Sequence, residues 1–156
     1  MAIVYLGIGS NLGDRKANCM AAVEKLNGRN IRVTKTSSAY ETRPWGLTEQ
    51  PDFINMAVEA ETPLSPLELL AAVKEIEQDM GREDTRRWGP RKIDIDILFY
   101  NDSVVNTGGL RIPHPLIRER DFVLAPLAEI APDKMHPVLK KTVRQLREEL
   151  KGDQDA

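Results

Sequence analysis

The sequence predicts an α+β fold, a ferredoxin-like βαββαβ antiparallel sheet with helices against one face, plus a C-terminal extension. Three observations predict it. Four stretches, at 2–8, 31–42, 53–61 and 93–100, carry strand-like alternation or short apolar runs. The first and third are each followed by a segment of 3.6-residue periodicity with a helix-start signal. No internal repeat, low-complexity linker or composition break interrupts the 156 residues. A single domain over 1–156 is therefore expected, with 151–156 as a frayed tail.

The first strand begins with the buried-looking run Ile3-Val4-Tyr5-Leu6 and enters Gly7-Ile8-Gly9-Ser10-Asn11-Leu12-Gly13-Asp14. The glycine spacing, GxGxxxG, is neither a dinucleotide fingerprint nor a P-loop, and a tight strand-to-helix turn with Asp14 as N-cap is the favoured reading. A helix to Leu26 follows, with Cys19, Met20, Val23 and Leu26 inward, ended by Asn27-Gly28. Cys19, the single cysteine, reads as a small buried hydrophobe and excludes an internal disulfide. Residues 31–42 read as one long polar strand, broken by Arg43-Pro44-Trp45-Gly46. The next strand places Phe53, Asn55 and Ala57 on one face and Ile54, Met56 and Val58 on the other. Ser65-Pro66-Leu67-Glu68 combines a capping box with proline at the first helical position, and Leu69, Val73, Ile76 and Met80 form the apolar stripe up to Gly81.

Gly81 to Tyr100 organises the rest. Its first part, Arg82 to Lys92, is a polar loop with four arginines, a lysine, Trp88 and a Gly-Pro pair. Its second part alternates Ile93-Asp94-Ile95-Asp96-Ile97, isoleucines on one face and aspartates on the other. Two readings fit the aspartates. They are a solvated edge with arginines as ion-pair partners, or a site where a hard cation such as Mg²⁺ meets carboxylate and phosphate oxygens. Beyond Tyr100, Asn101-Asp102 makes a turn and Val104-Val105 a short strand, and the two prolines of Leu110 to Pro115 forbid a helix. Residues 122–130 read as a short apolar helix and 142–150 as a last amphipathic one.

The net charge of −2 lacks the basic excess of a nucleic-acid binder. No apolar run reaches 18 residues and no export signal opens the chain, so a cytoplasmic protein is expected.

Five blocks carry a resemblance. They are Gly9-Ser10-Asn11-Leu12-Gly13, Gln50-Pro51-Asp52-Phe53-Ile54-Asn55, Arg87-Trp88-Gly89-Pro90-Arg91 leading to Asp94-Ile95-Asp96-Ile97, Ile112-Pro113-His114-Pro115, and Arg120-Asp121-Phe122-Val123-Leu124-Ala125-Pro126-Leu127. In these the chain resembles the hydroxymethyldihydropterin pyrophosphokinases of folate biosynthesis, from about Val4 to Pro132. The resemblance implies transfer of the β,γ-pyrophosphoryl group of ATP to 6-hydroxymethyl-7,8-dihydropterin, releasing AMP, by a monomer using two Mg²⁺ ions. It implies Asp94 and Asp96 as the metal-holding pair and Arg82 and Arg91 as phosphate-engaging catalytic residues. Glu77, Arg111, His114 and Arg120 are implied on the nucleotide side. Thr42, Trp45, Phe53, Asn55, Trp88 and Phe122 are implied around the pterin, with Phe53 and Phe122 as its stacking rings. Two other classes compete: a two-metal nuclease or nucleotidyltransferase, and a non-catalytic nucleotide- or pterin-binding module. The first requires a basic track and a third carboxylate, and the second a missing aspartate or loop arginine.

Overall fold

A computed structural model describes residues 1–42, 52–81 and 92–155. Strand β1 (Ala2–Ser10) forms the centre of the sheet, and its even-numbered side chains Val4, Leu6 and Ile8 enter the core. Helix α1 (Arg15–Asn27) starts where the Asp14 side chain accepts the Ala17 N–H, after a turn whose positive φ falls on Gly13. It buries Cys19, Ala22, Val23 and Leu26. Met20 lies one position off this stripe and is exposed, against expectation.

The polar strand expected over 31–42 is two strands, β2 (Arg32–Thr36) and β3 (Tyr40–Thr42). Both pair antiparallel with β4 (Phe53–Thr62), at opposite ends of it. Between them, the Ser37 hydroxyl replaces a backbone carbonyl and accepts the Ala57 N–H at 2.8 Å. Helix α2 (Pro66–Asp79) has the expected capping box and buries Leu69, Val73 and Ile76. Strand β5 (Asp94–Tyr100) pairs antiparallel with β1, giving the order β2-β4-β1-β5 with β3 beside β4. That order is the split βαβ sheet expected from the sequence.

Helices cover both faces of the sheet, not one. Helices α1 and α2 pack against Val4, Leu6, Ile8, Met56, Val58, Ile95 and Ile97. On the opposite face, α3 (Asp121–Ile130) and α4 (Val143–Asp155) bring Val123, Leu124, Leu127, Val143 and Leu146 onto Tyr5, Ala57, Leu98 and Phe99. Each fully buried leucine or isoleucine here contributes about 1.5–3 kcal/mol. A β-bulge lets Leu98 and Phe99 join the same face: Tyr5 pairs with Phe99 but Leu6 with Ile97. Helix α4 does not stop at Leu150; it continues to Asp155. The extension also contributes a hairpin, β6 (Val105–Thr107) with β7 (Leu110–Ile112), and a single 3-10 turn at Ile117–Glu119.

Candidate active site

The second face is only partly covered by α3 and α4, and the rest carries polar groups. Strand register aligns them. Asn55 of β4 lies opposite Gly9 of β1, and Gly9 lies opposite Asp94 of β5. In the next row, Ala57, Gly7 and Asp96 are aligned in the same way. Neighbouring strands are about 4.8 Å apart, so Asn55 and Asp94 face each other across a glycine floor about 10 Å wide.

At one end of that floor stand Phe53, Asn55 and Thr42. The Asn55 Nδ2 donates to Thr42 Oγ1 at 2.6 Å. This bond turns Oδ1 the other way, so close over Gly9 that a Cβ there would sit 2.7 Å from it. Asn55 is buried, so its amide is held in one orientation with an acceptor presented over the floor. The Arg15 guanidinium donates to the Asp52 carbonyl at 2.7 Å and fixes the entry of β4 just before Phe53.

At the other end lies the aspartate pair. Burial, and secondarily the Asp94 charge, push the Asp96 carboxyl up to about 7, while Arg120 and Lys74 pull it back. Two carboxylates brought together this way favour a bound cation, so the residues fit a metal. Among the described residues no group of three or more His, Cys, Asp or Glu side chains forms a metal cage. A cation held by the pair must complete its shell with substrate or water oxygens, which is the habit of Mg²⁺.

Beside Asp96, the outer edge of β5 opens into a cleft of about 470 Å³. Leu70 and Lys74 of α2, Gly108 to Arg111 of the hairpin, His114 and Pro115 line it with Ile95 and Asp96. The edge strand is blunted on both sides of Asp96. Glu77 accepts the Ile95 N–H at 2.9 Å, and the His114 N–H reaches the Leu98 carbonyl at 3.1 Å. The His114 Nδ1 accepts the Leu116 N–H, which leaves the ring proton on Nε2, 3.9 Å from Asp96 Oδ1. Burial, and then Arg120, depress His114 to about 4, so the contact joins a carboxyl to a neutral imidazole donor rather than forming an ion pair. Arg120, nearly buried, lies 5.4 Å from the Phe122 ring centroid and acts electrostatically on both Asp96 and His114.

The family model described as 7,8-dihydro-6-hydroxymethylpterin-pyrophosphokinase (HPPK) matches residues 5–132. The chain belongs to this family. A 2-amino-4-hydroxy-6-hydroxymethyldihydropteridine pyrophosphokinase from Aquifex aeolicus is 44% identical over 149 residues, covering 96% of this chain and 92% of its own. One from Methylorubrum extorquens is 51% identical over 134 residues, 85% of each chain. The fold also matches a crystal structure of Plasmodium falciparum HPPK-DHPS with pteroate. The TM-score is 0.77 at 19% identity, over 99% of this chain and 44% of that one.

Among the HPPK positions expected from the sequence, the structure brings Thr42, Phe53 and Asn55 to one end of the floor. Asp94, Asp96, His114 and Arg111 come to the other, with Arg120 and Phe122 at the start of α3. Glu77 is buried in α2, with Lys74 3.6 Å from its second oxygen, and does not line the cleft. Trp45, Arg82, Trp88 and Arg91 lie outside the described residues. Sequence reasoning missed three positions. Gly7 and Gly9 are strand residues that keep the floor bare, and a glycine inside a strand is itself a signal of close approach by another group. Lys74, one turn from Leu70 on α2, is the third. No helix among the described residues is long and apolar enough to cross a membrane.

Proposed function

We propose that this chain transfers the β,γ-pyrophosphoryl group of ATP to the hydroxymethyl oxygen of 6-hydroxymethyl-7,8-dihydropterin, releasing AMP, with Mg²⁺ held by Asp94 and Asp96. The observation that carries this reading is the row Asn55–Gly9–Asp94 across the sheet. It sets an oriented amide at one end of a bare floor and an electrostatically loaded carboxylate pair at the other.

A flat pterin suits that floor. Phe53 and Phe122 offer stacking faces, and the Asn55 Oδ1 accepts from a donor on the ring edge. That anchoring turns the pterin hydroxymethyl group toward the aspartates, where the attack on phosphorus is organised by position. The triphosphate enters through the cleft beside β5. Lys74 and Arg111 there balance its charge, Arg120 adds its field on Asp96 and His114, and the His114 Nε2–H supplies a neutral donor. Arg82 and Arg91 complete the phosphate contacts in this reading. Mg²⁺ supplies neutralisation of the charge on the phosphoryl oxygens. The proposal makes one chain sufficient, as a cytoplasmic monomer.

The test is mass-resolved product analysis of ATP plus hydroxymethyldihydropterin, with Mg²⁺ and with chelator. AMP and the pterin pyrophosphate are expected with Mg²⁺ alone. Asp94→Ala and Asp96→Ala should each remove most of that turnover while remaining folded. ADP as the nucleotide product, or near-parental turnover in both variants at saturating Mg²⁺, overturns the reading.

A further inference from the structure

Helix α3 carries Phe122 in its first turn, and its sequence alone does not fix where that ring stands. Pro126 lies in the middle of the helix and has no N–H, so the Phe122 carbonyl receives no bond from it. One bond between the first turn and the next is therefore missing, although the helix runs on unbroken to Ile130. Two contacts outside the helix fix its two ends. At its start, Arg147 Nε of α4 donates to Asp121 Oδ1 at 3.2 Å.

At the other end, Glu129 meets Tyr40, the first residue of β3, and Ser38 in the link before it. The Tyr40 hydroxyl donates to its Oε1 at 2.7 Å, and the Ser38 N–H donates to Oε2 at 2.9 Å. The Ser38 hydroxyl adds a third bond to Oε2 at 3.3 Å. These donors hold the Glu129 carboxyl below its ordinary value, the Tyr40 hydroxyl foremost.

The spacings on the two elements match. Phe122 and Glu129 are seven residues apart, two helical turns, and so share a face of α3 about 10 Å apart. Tyr40 and Thr42 are two residues apart and share a face of β3 about 7 Å apart. Tyr40 pairs with Asn55 and Thr42 with Phe53. The bond from Glu129 to Tyr40 thus ties α3 to the strand that carries Thr42, beside Asn55 and Phe53, while Phe122 lies two turns back along the same helix face.

We propose that Glu129, through Tyr40 and Ser38, is a positioning residue for the pterin cleft, fixing the gap between Phe122 on α3 and the Thr42–Asn55–Phe53 wall. It touches no substrate; it sets the spacing of groups that do. The inference rests on reading that cleft as the pterin site. Only a carboxylate can accept all three donors, because the amide of a glutamine would turn an N–H toward one of them.

The test is calorimetry on the full chain with two ligands, hydroxymethyldihydropterin and a non-hydrolysable ATP analogue, for the parent, Tyr40→Phe, Glu129→Ala and Glu129→Gln. Tyr40→Phe keeps the ring and its packing. It should weaken pterin binding about tenfold, as misplacement of a positioning group does, while the ATP analogue binds within about twofold of the parent. Glu129→Ala should behave alike, Glu129→Gln should recover part of the loss, and the Tyr40→Phe/Glu129→Ala double variant should be no worse than either single one. Unchanged pterin affinity in Tyr40→Phe, or an equal loss for both ligands, overturns the positioning role. A parent that binds the ATP analogue but no pterin overturns the pterin reading, and the inference with it.

Discussion

Gly9→Ala isolates the glycine floor. The new Cβ would lie 2.7 Å from Asn55 Oδ1 and 3.5 Å from the Phe53 ring. Ordinary contact begins near 3.4 Å, so the amide must retreat by about 0.7 Å, several times the slack in a packed interior. Retreat along its own axis is blocked, because Nδ2 already sits 2.6 Å from Thr42 Oγ1. Asn55 must therefore leave its rotamer, at about 0.5–1.5 kcal/mol, and lose the Thr42 bond, at about 1 kcal/mol. The sum lowers Tm by about 3–10 °C in a chain of this size. Pterin affinity should fall by about tenfold or more, since the displaced amide no longer offers its acceptor, while an ATP analogue binds as before. Gly7→Ala is the control: its Cβ would touch Leu98 at an ordinary 3.6 Å, and stability should hold or rise slightly. Calorimetric titration and thermal melting of both variants measure this. Parental Tm and pterin affinity in Gly9→Ala would refute the clamped-amide argument.

Asn55→Leu should weaken pterin binding far more than nucleotide binding, by about 1–3 kcal/mol for the lost partner in a dry pocket; separate titrations decide it, and a matched loss for both ligands contradicts it. The metal-free protein should show opposed pH slopes. A carboxyl raised to about 7 in the folded state contributes stability that is present below its unfolded value near 3.8 and lost as pH rises through 7, whereas His114, depressed to about 4, contributes stability present above 6.5 and lost as pH falls through 4. Asp96→Asn removes the first slope, so relative to the parent it should gain stability between pH 4 and 7. Solvent at the 32% of the Asp96 side chain left exposed screens that gain to about 1–2 kcal/mol. Denaturant melts across that range give the answer, and parallel parent and variant profiles would count against it.

Much of the fold was legible because its signals are local. The Ser65–Glu68 capping box, the Asp14 cap and the alternation at 93–97 each rest on neighbours in sequence, and each forms as read. The face shared by Phe53 and Asn55 was legible for the same reason: period two puts them together whatever the partner strand. The errors fall where a distant partner decides. The strand break at Ser37 depends on a hydroxyl replacing a carbonyl opposite Ala57, and the inward turn of both Leu98 and Phe99 depends on a bulge against Tyr5 and Leu6. The same holds for the helices on the second face, whose apolar residues meet Tyr5, Ala57, Leu98 and Phe99, all distant in sequence.

The glycines show how site and fold separate in such a reading. In sequence, Gly7 and Gly9 precede a helix and read as turn residues, and the turn does exist, but it is made by Gly13 with its positive φ. The other two belong to the strand, where glycine forgoes cross-strand packing. Their neighbours explain why that loss is tolerated. Opposite Gly9 stand Asn55 and Asp94, and opposite Gly7 stand Ala57 and Asp96. A side chain at Gly9 would rise between Asn55 and Asp94 and strike the amide itself, whereas one at Gly7 would meet Leu98. Only the pairing register turns two turn-like residues into the floor of a cleft. That register is set by the hydrophobic alternation of β1, with Val4, Leu6 and Ile8 inward, so the residues that build the core also aim the bare face at the site.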